Sequence, residues 1–164
     1  ESLLDDLALM RTAYELKEPF AVVGDGDRPD SCLLGYPAPE LEVSYLFHVP
    51  QFPRLLPAVG ECCPARGVPA QIIDARTYLL EHEIEAYGGL LNDKVQNMLV
   101  VGPGNGQVSC QEAAHHKLLD MMGDLRCLGV PVNGRFIGIR SGHRLNIRAV
   151  KHMVEANLLR KVAP

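Results

Sequence analysis

The chain has no tryptophan, and its aromatic residues are five Tyr and four Phe among 164 positions. A core built from it must consist of Leu, Val, Ile, Ala and Met. There is no excess of positive charge: 16 Lys and Arg stand against 20 Asp and Glu, a net −4. That argues against a nucleic-acid binder, which needs a basic face to displace counterions from phosphate. No apolar run approaches the ~20 residues of a membrane span, so an integral membrane protein is not expected. The opening residues 1–10 lack a basic segment followed by an apolar one, so they do not read as a signal peptide. No Cys-x-x-Cys spacing occurs. The five cysteines are an odd number, with Cys62 and Cys63 adjacent and Cys32, Cys110 and Cys127 scattered. This speaks against a disulfide framework and a thiolate zinc knuckle, and for a reducing compartment, the cytoplasm. The first residue is not Met, and the sequence is expected to be a piece of a longer chain.

What is present is ordinary globular material: 47% hydrophobic and 22% charged residues, in a length that suits one domain or two small ones. The periodicity predicts a short helix over 2–10. Strands are predicted over 14–17, 20–23, 31–36 and 41–48, the last alternating Leu41, Val43, Tyr45 and Phe47 on one face. Residues 49–69 hold five prolines and read as a long loop with at most one helical turn. A short helix is predicted over 79–87, a strand over 97–101, and a hairpin-type turn at Gly102–Gly106. The longest helix is predicted over 111–128, a strand over 132–140, and a closing helix over 146–159. Early strands and late helices predict an α+β two-layer sandwich, a mixed or antiparallel sheet packed on helices.

Three constellations carry polar side chains in a pattern. In the long helix, His116 and Asp120 lie four apart and project from one face, with Asp124 one turn on. Leu118, Leu119, Met122 and Leu125 are expected to face the core. Such a row can supply two metal ligands and an orienting carboxylate, or it can be the solvated side of an amphipathic helix; spacing alone favours the solvated side. In Arg140-Ser141-Gly142-His143-Arg144-Leu145-Asn146, the glycine permits a tight turn that would put His143 at the head of the last helix, as an aimed side chain or as an incidental capping residue. In Asp74-Ala75-Arg76-Thr77-Tyr78, the Thr77 hydroxyl can cap a helix or donate to an oxyanion, with capping favoured. Glu81 and His82 diverge by about 100° on a helix and read as surface. The glycines at 24–26 and 102–106 read as turns, outside the strand–glycines–helix context of a phosphate loop.

Taken in order, Ala-Arg-Thr-Tyr, His-Lys-Leu-Leu-Asp-Met-Met-Gly-Asp and Ser-Gly-His-Arg-Leu-Asn resemble the second domain of the UDP-3-O-acyl-N-acetylglucosamine deacetylases, zinc amidases of lipid A biosynthesis. Leu16-Lys17-Glu18-Pro19, the Gly24–Asp27 turn and Leu41–Pro50 resemble stretches of the same domain. The resemblance implies that His116 and Asp120 are two of three zinc ligands. His143 would stabilise the oxyanion and protonate the leaving amine, oriented by Asp124. Thr77 would donate to the oxyanion and Lys117 would line the site. Tyr78 would pack on the sugar, Phe47 would stack near the uracil, and Arg28 would stand near the diphosphate. The family's third ligand and its general-base Glu lie in a Glu-His-Leu-Leu-Ala-Ala-type motif of a first domain, and that motif is absent from this chain. The segment before Val100, which builds the acyl passage in the family, is a few residues shorter here. The expected division is therefore 1–12 as the end of a preceding domain or a connecting helix, and 13–164 as the C-terminal domain. Its partners would be the acylated UDP-glucosamine and a first domain supplied in cis or in trans; alone it would be inactive or nearly so. The competing expectation is a non-catalytic module that binds a UDP-sugar or a protein partner.

Overall fold

The computed structural model of the protein describes residues 13–26, 28–84, 97–104 and 106–162. The expected helix at 2–10 and the connecting segment 1–12 lie outside the described residues. In chain order the strands and helices are β1 (Tyr14–Leu16), β2 (Phe20–Val23), β3 (Cys32–Tyr36), β4 (Leu41–Phe47), β5 (Ala58–Cys62), α1 (Ala70–Ile73), β6 (Tyr78–Leu80), β7 (Leu99–Val101), α2 (Gly106–Leu125), β8 (Val132–Ile139), α3 (His143–Glu155) and β9 (Leu159–Lys161).

Alternation of side chains builds the main sheet. β4 buries Val43, Tyr45 and Phe47, and β8 buries Val132, Gly134, Phe136 and Gly138, every second residue in each case. β2 and β3 form one antiparallel hairpin, and β4 and β5 form another. β8 lies between them. It runs antiparallel to β3, with Cys32 opposite Ile139, and parallel to β4, with Leu46 opposite the same Ile139. The start of β8 also pairs in parallel with β1, Tyr14 opposite Val132, and β1 pairs antiparallel with β9. β6 and β7 make a separate parallel pair.

Both long helices cover this sheet. α2 packs on β4 and β5, α3 packs on β2 and β3, and the two helices touch each other. Leu118, Met121, Phe136 and Met153 are 0% exposed at the centre. This is the expected α+β two-layer sandwich with a mixed sheet. No helix among the described residues is long and apolar enough to cross a membrane.

Two glycines let α2 come close to the strands. A Cβ on Gly60 would lie 2.7 Å from Leu118 Cδ1. A Cβ on Gly138 would lie 2.7 Å from Ser141 Oγ, 2.8 Å from the Tyr45 ring and 3.1 Å from Met121 Sδ. Gly123, on the exposed side of α2, has nothing within 4 Å of that position.

Several local expectations are corrected. Residues 58–62, read as proline-rich loop, are strand β5, which among the described residues pairs only with β4. A strand at such an edge tolerates Pro57 before it and Pro64 after it. Leu79 and Leu80, expected to begin a helix, belong to the strand Tyr78–Leu80, which is extended because it pairs with Leu99–Val101; a 3₁₀ turn follows at Glu81–Glu83. Thr77 therefore precedes a strand and caps no helix. The rest of that expected helix, from 85 on, lies outside the described residues. Gly102 follows β7 and Gly106 opens α2, so these glycines do not join a hairpin and do stand in a strand–glycines–helix context. The closing helix starts earlier than expected, at His143, and ends at Glu155, leaving residues 159–161 as a strand. On α2, Leu118 and Leu125 are buried as expected, but Met121 joins them in the core whereas Leu119 is 38% exposed.

The glycine contacts set opposite signs for two substitutions. Gly138→Ala is expected to destabilise the chain by about 1–3 kcal/mol, because the added methyl meets a rigid, buried ring. Gly123→Ala is expected to stabilise it by roughly 0.5–1 kcal/mol, because a helix-interior glycine gains no contact for its lost entropy. Midpoints of urea unfolding at constant slope check both.

Candidate active site

One stripe of α2 collects the polar groups. Glu112, His116, Asp120 and Asp124 recur every four residues and so share a face. Cys110, Ala113, Ala114, Leu118, Met121 and Leu125 are buried against the sheet. Each turn of the stripe meets a different partner.

Glu112 accepts from Arg76 three times: from Nε at 2.8 Å, from Nη2 at 3.0 Å and from the backbone N–H at 3.2 Å. These hydrogen bonds hold the Glu112 carboxyl below the ordinary carboxylate range. One turn on, His116 has Nδ1 3.3 Å from the Ala75 carbonyl oxygen and Nε2 3.2 Å from Thr77 Oγ1. A carbonyl only accepts, so Nδ1 carries the proton. Nε2 then offers its lone pair, to which the Thr77 hydroxyl donates. Asp120 Oδ1 lies 3.4 Å from His116 Nε2. Its Oδ2 accepts from Lys117 Nζ at 2.8 Å and lies 3.7 Å from His143 Nε2. Asp124 accepts from His143 Nδ1 at 2.9 and 3.0 Å and from Asn146 Nδ2 at 2.8 Å. With Nδ1 donating to Asp124, the Nε2 end of His143 is turned to Asp120.

Two segments deliver these partners. The first, 74–77, leaves α1 and enters β6, and the Leu99 N–H fixes it by donating to the Thr77 carbonyl at 2.8 Å. The second is the turn from β8 into α3. There Arg140 takes a left-handed φ of 50°, a costly geometry for a non-glycine residue that recurs at functional turns. Its guanidinium pairs with Asp30. Ser141 follows, 0% exposed, with its carbonyl accepting from the Tyr45 hydroxyl at 2.5 Å. Gly142 then opens α3. The strained turn, locked by Tyr45, places His143 in the first turn of α3 beside Asp124.

Arg28, Thr77, Tyr78, Leu80, Glu83, His116, Lys117, Asp120 and His143 line a cleft of about 360 Å³. Tyr78 forms one wall, its ring 6.4 Å from that of His116 and its phenol pushed up to about 12 by burial. Lys117 Nζ stands 5.7 Å over the same ring. Phe47 is 4% exposed and meets Tyr78 edge-on at 5.1 Å. It lines a neighbouring recess with Tyr45, His48, Gln51 and Arg140, and Arg28 borders both spaces. Eight of the nine residues singled out in the sequence thus line one cleft and the recess beside it, and the ninth, Asp124, stands behind His143 as its hydrogen-bond partner. Three further residues belong to the arrangement. Glu112 extends the four-residue period one turn back, a signal present in the sequence. Asn146 closes the Ser-Gly-His motif. Arg76 lies between Ala75 and Thr77, the two residues that meet the His116 ring.

His116 Nε2 and Asp120 Oδ1 are the donors that fit a divalent metal: an imidazole lone pair freed by the bond at Nδ1 and a carboxylate beside it. Among the described residues no group of three or more His, Cys, Asp or Glu could hold a metal ion. This pair is thus one donor short, among the described residues, of the three protein ligands that a catalytic zinc site uses.

The profile of the UDP-3-O-acyl N-acetylglycosamine deacetylases matches residues 5–155. Among similar curated proteins, the UDP-3-O-acyl-N-acetylglucosamine deacetylase of Aquifex aeolicus is 34% identical over 106 residues, covering 60% of this chain and 38% of its own length. That of Brucella ovis is 37% identical over 93 residues, covering 51% of this chain and 32% of its own. The chain thus spans about a third of the length of the relatives it matches. With that profile running from residue 5 to residue 155, the chain belongs to the UDP-3-O-acyl N-acetylglycosamine deacetylase family.

Proposed function

We propose that this chain is the C-terminal part of a zinc-dependent deacetylase that removes the N-acetyl group from UDP-3-O-acyl-N-acetylglucosamine in lipid A biosynthesis. The observation that carries the proposal is the meeting of His143 with the α2 stripe. Its Nδ1 is 2.9 Å from Asp124 and its Nε2 is 3.7 Å from Asp120, the carboxylate beside His116. His116 and Asp120 would hold the zinc together with a third ligand from outside the described residues. Zinc there supplies Lewis-acid polarisation of the amide carbonyl. The general base is assigned to a first domain, whose Glu-His motif this chain lacks.

The chain's own groups take the remaining work. His143, charged, donates from Nε2 to the developing oxyanion and then to the leaving amine, while Asp124 accepts at Nδ1 and holds the ring in that orientation. Asn146 keeps Asp124 in place through its amide. Thr77 adds a hydroxyl donor at the His116 rim. Lys117, held by Asp120, presents an ammonium to the cleft. Tyr78 walls the sugar, buttressed by Phe47, whose recess would take the uracil, and Arg28 stands between the two spaces as the diphosphate cation. All five cysteines are free, which supports a reducing, cytoplasmic location.

Two experiments test this reading. Zinc titration of the chain alone should give markedly weaker binding than titration of a protein in which a first domain with the Glu-His motif is joined to it. His116→Ala should weaken both. Tight stoichiometric binding by the chain that survives His116→Ala would mean that other residues are the ligands. In the joined protein, His143→Ala should lower kcat on the order of 10²–10³-fold with a smaller effect on KM, because its charge meets charge that exists only in the transition state. Unchanged kcat would remove His143 from the chemistry and leave a UDP-sugar-binding module as the better reading.

A further inference from the structure

Both ring nitrogens of His116 are met by residues that flank a single anchor. Ala75 offers its carbonyl oxygen to Nδ1 at 3.3 Å and Thr77 brings Oγ1 to Nε2 at 3.2 Å. Between them, Arg76 grips Glu112 with two guanidinium nitrogens and its backbone N–H. Glu112 is one turn before His116 on the same face. A fork of two parallel bonds plus a main-chain bond fixes residue 76 against sliding and rotation along the helix. The Arg76 side chain remains 52% exposed, and an exposed ion pair contributes little to global stability. The clamp's strength is spent on local geometry.

We infer that Arg76 and Glu112 form a positioning clamp that holds the 74–77 segment against α2, thereby fixing the tautomer and orientation of the His116 ring so that Nε2 carries no proton and turns its lone pair, met here by the Thr77 hydroxyl, to the cleft. Neither residue touches the reacting groups in the proposed chemistry. The inference rests on the proposed function in one respect only, the use of that lone pair as a metal ligand; the tautomer itself is a property of this chain. Lys cannot replace Arg here. Its single ammonium retains the charge but loses the fork that stops the segment turning.

The test is a long-range ¹H–¹⁵N correlation spectrum of the full chain carrying ¹⁵N-histidine, recorded where the rings are neutral, with Zn²⁺ affinity measured on the same samples. The wild type should show His116 protonated at Nδ1. In Arg76→Ala, and equally in Arg76→Lys, the Nε2–H form should become the majority and Zn²⁺ should bind roughly 10-fold more weakly, with the amide spectrum otherwise intact. If Arg76→Ala loses its fold, Glu112→Gln decides on the same readouts, since it keeps an acceptor for the Arg76 amide and removes the charged fork. An unchanged His116 tautomer overturns the inference, and so does loss of fold in both variants, which would make the pair a structural element. A shifted tautomer with Zn²⁺ affinity unaffected, and equally unaffected by His116→Ala, keeps the clamp and discards the ligand reading.

Discussion

α2 rests on the sheet with Leu118 and Met121 wholly shielded, and it can lie that close because β5 and β8 present hydrogen atoms at Gly60 and Gly138 where other residues carry a side chain. A helix pressed onto a surface by one stripe must turn its other stripes elsewhere, and the period of 3.6 decides where. The stripe that bears Glu112, His116, Asp120 and Asp124 comes out along the flank of the buried one, partly shielded and partly open. This half-burial matters chemically. Lys117 and Asp120 have side chains 13% and 15% exposed, an environment in which charge-assisted bonds are stronger than at a free surface.

The stripe is served from two sides. The 74–77 segment answers its upstream half, and the head of α3 answers its downstream half. Asp120 belongs to both halves, since one oxygen faces His116 and the other faces His143. The two segments come from distant stretches of chain and are fixed by unrelated devices, one by a main-chain bond to β7 and the Arg76 fork, the other by a left-handed arginine and the Tyr45 hydroxyl. The cleft thus forms where these two segments meet α2, with Arg28 also in its lining, and α2 holds both segments to a common frame.

Much of this is legible in the amino-acid sequence. Alternation in 41–47 and 132–139 and the helical period in α2 mark the elements that carry the site, and the four-residue spacing of His116, Asp120 and Asp124 marks its face. What stays hidden has physical causes. Residues 58–62 alternate weakly, and the prolines around them suppress a strand signal that hydrogen bonding to β4 restores. Tyr78–Leu80 and Leu159–Lys161 are three residues each, too short for any period to show, and are extended only because Leu99–Val101 and β1 lie alongside. The Arg76–Glu112 fork joins residues 36 apart; nothing local to either residue announces the other. Thr77 reads as a helix cap because the partner that makes it useful, His116, is brought to it only by the tertiary fold.

The placement of β8 bears on the order in which the chain can take its shape. Its neighbours β3 and β4 are each complete hairpin members on their far edges, yet their near edges face a gap that only residues 132–139 fill. Both hairpin sequences precede β8 in the chain, so during synthesis those edges have no partner until β8 is made, a state prone to wrong association. β8 then closes the gap from both sides at once, and His143 follows it directly out of the strand. Closure of the centre of the sheet and delivery of His143 to the cleft are consequently linked late steps.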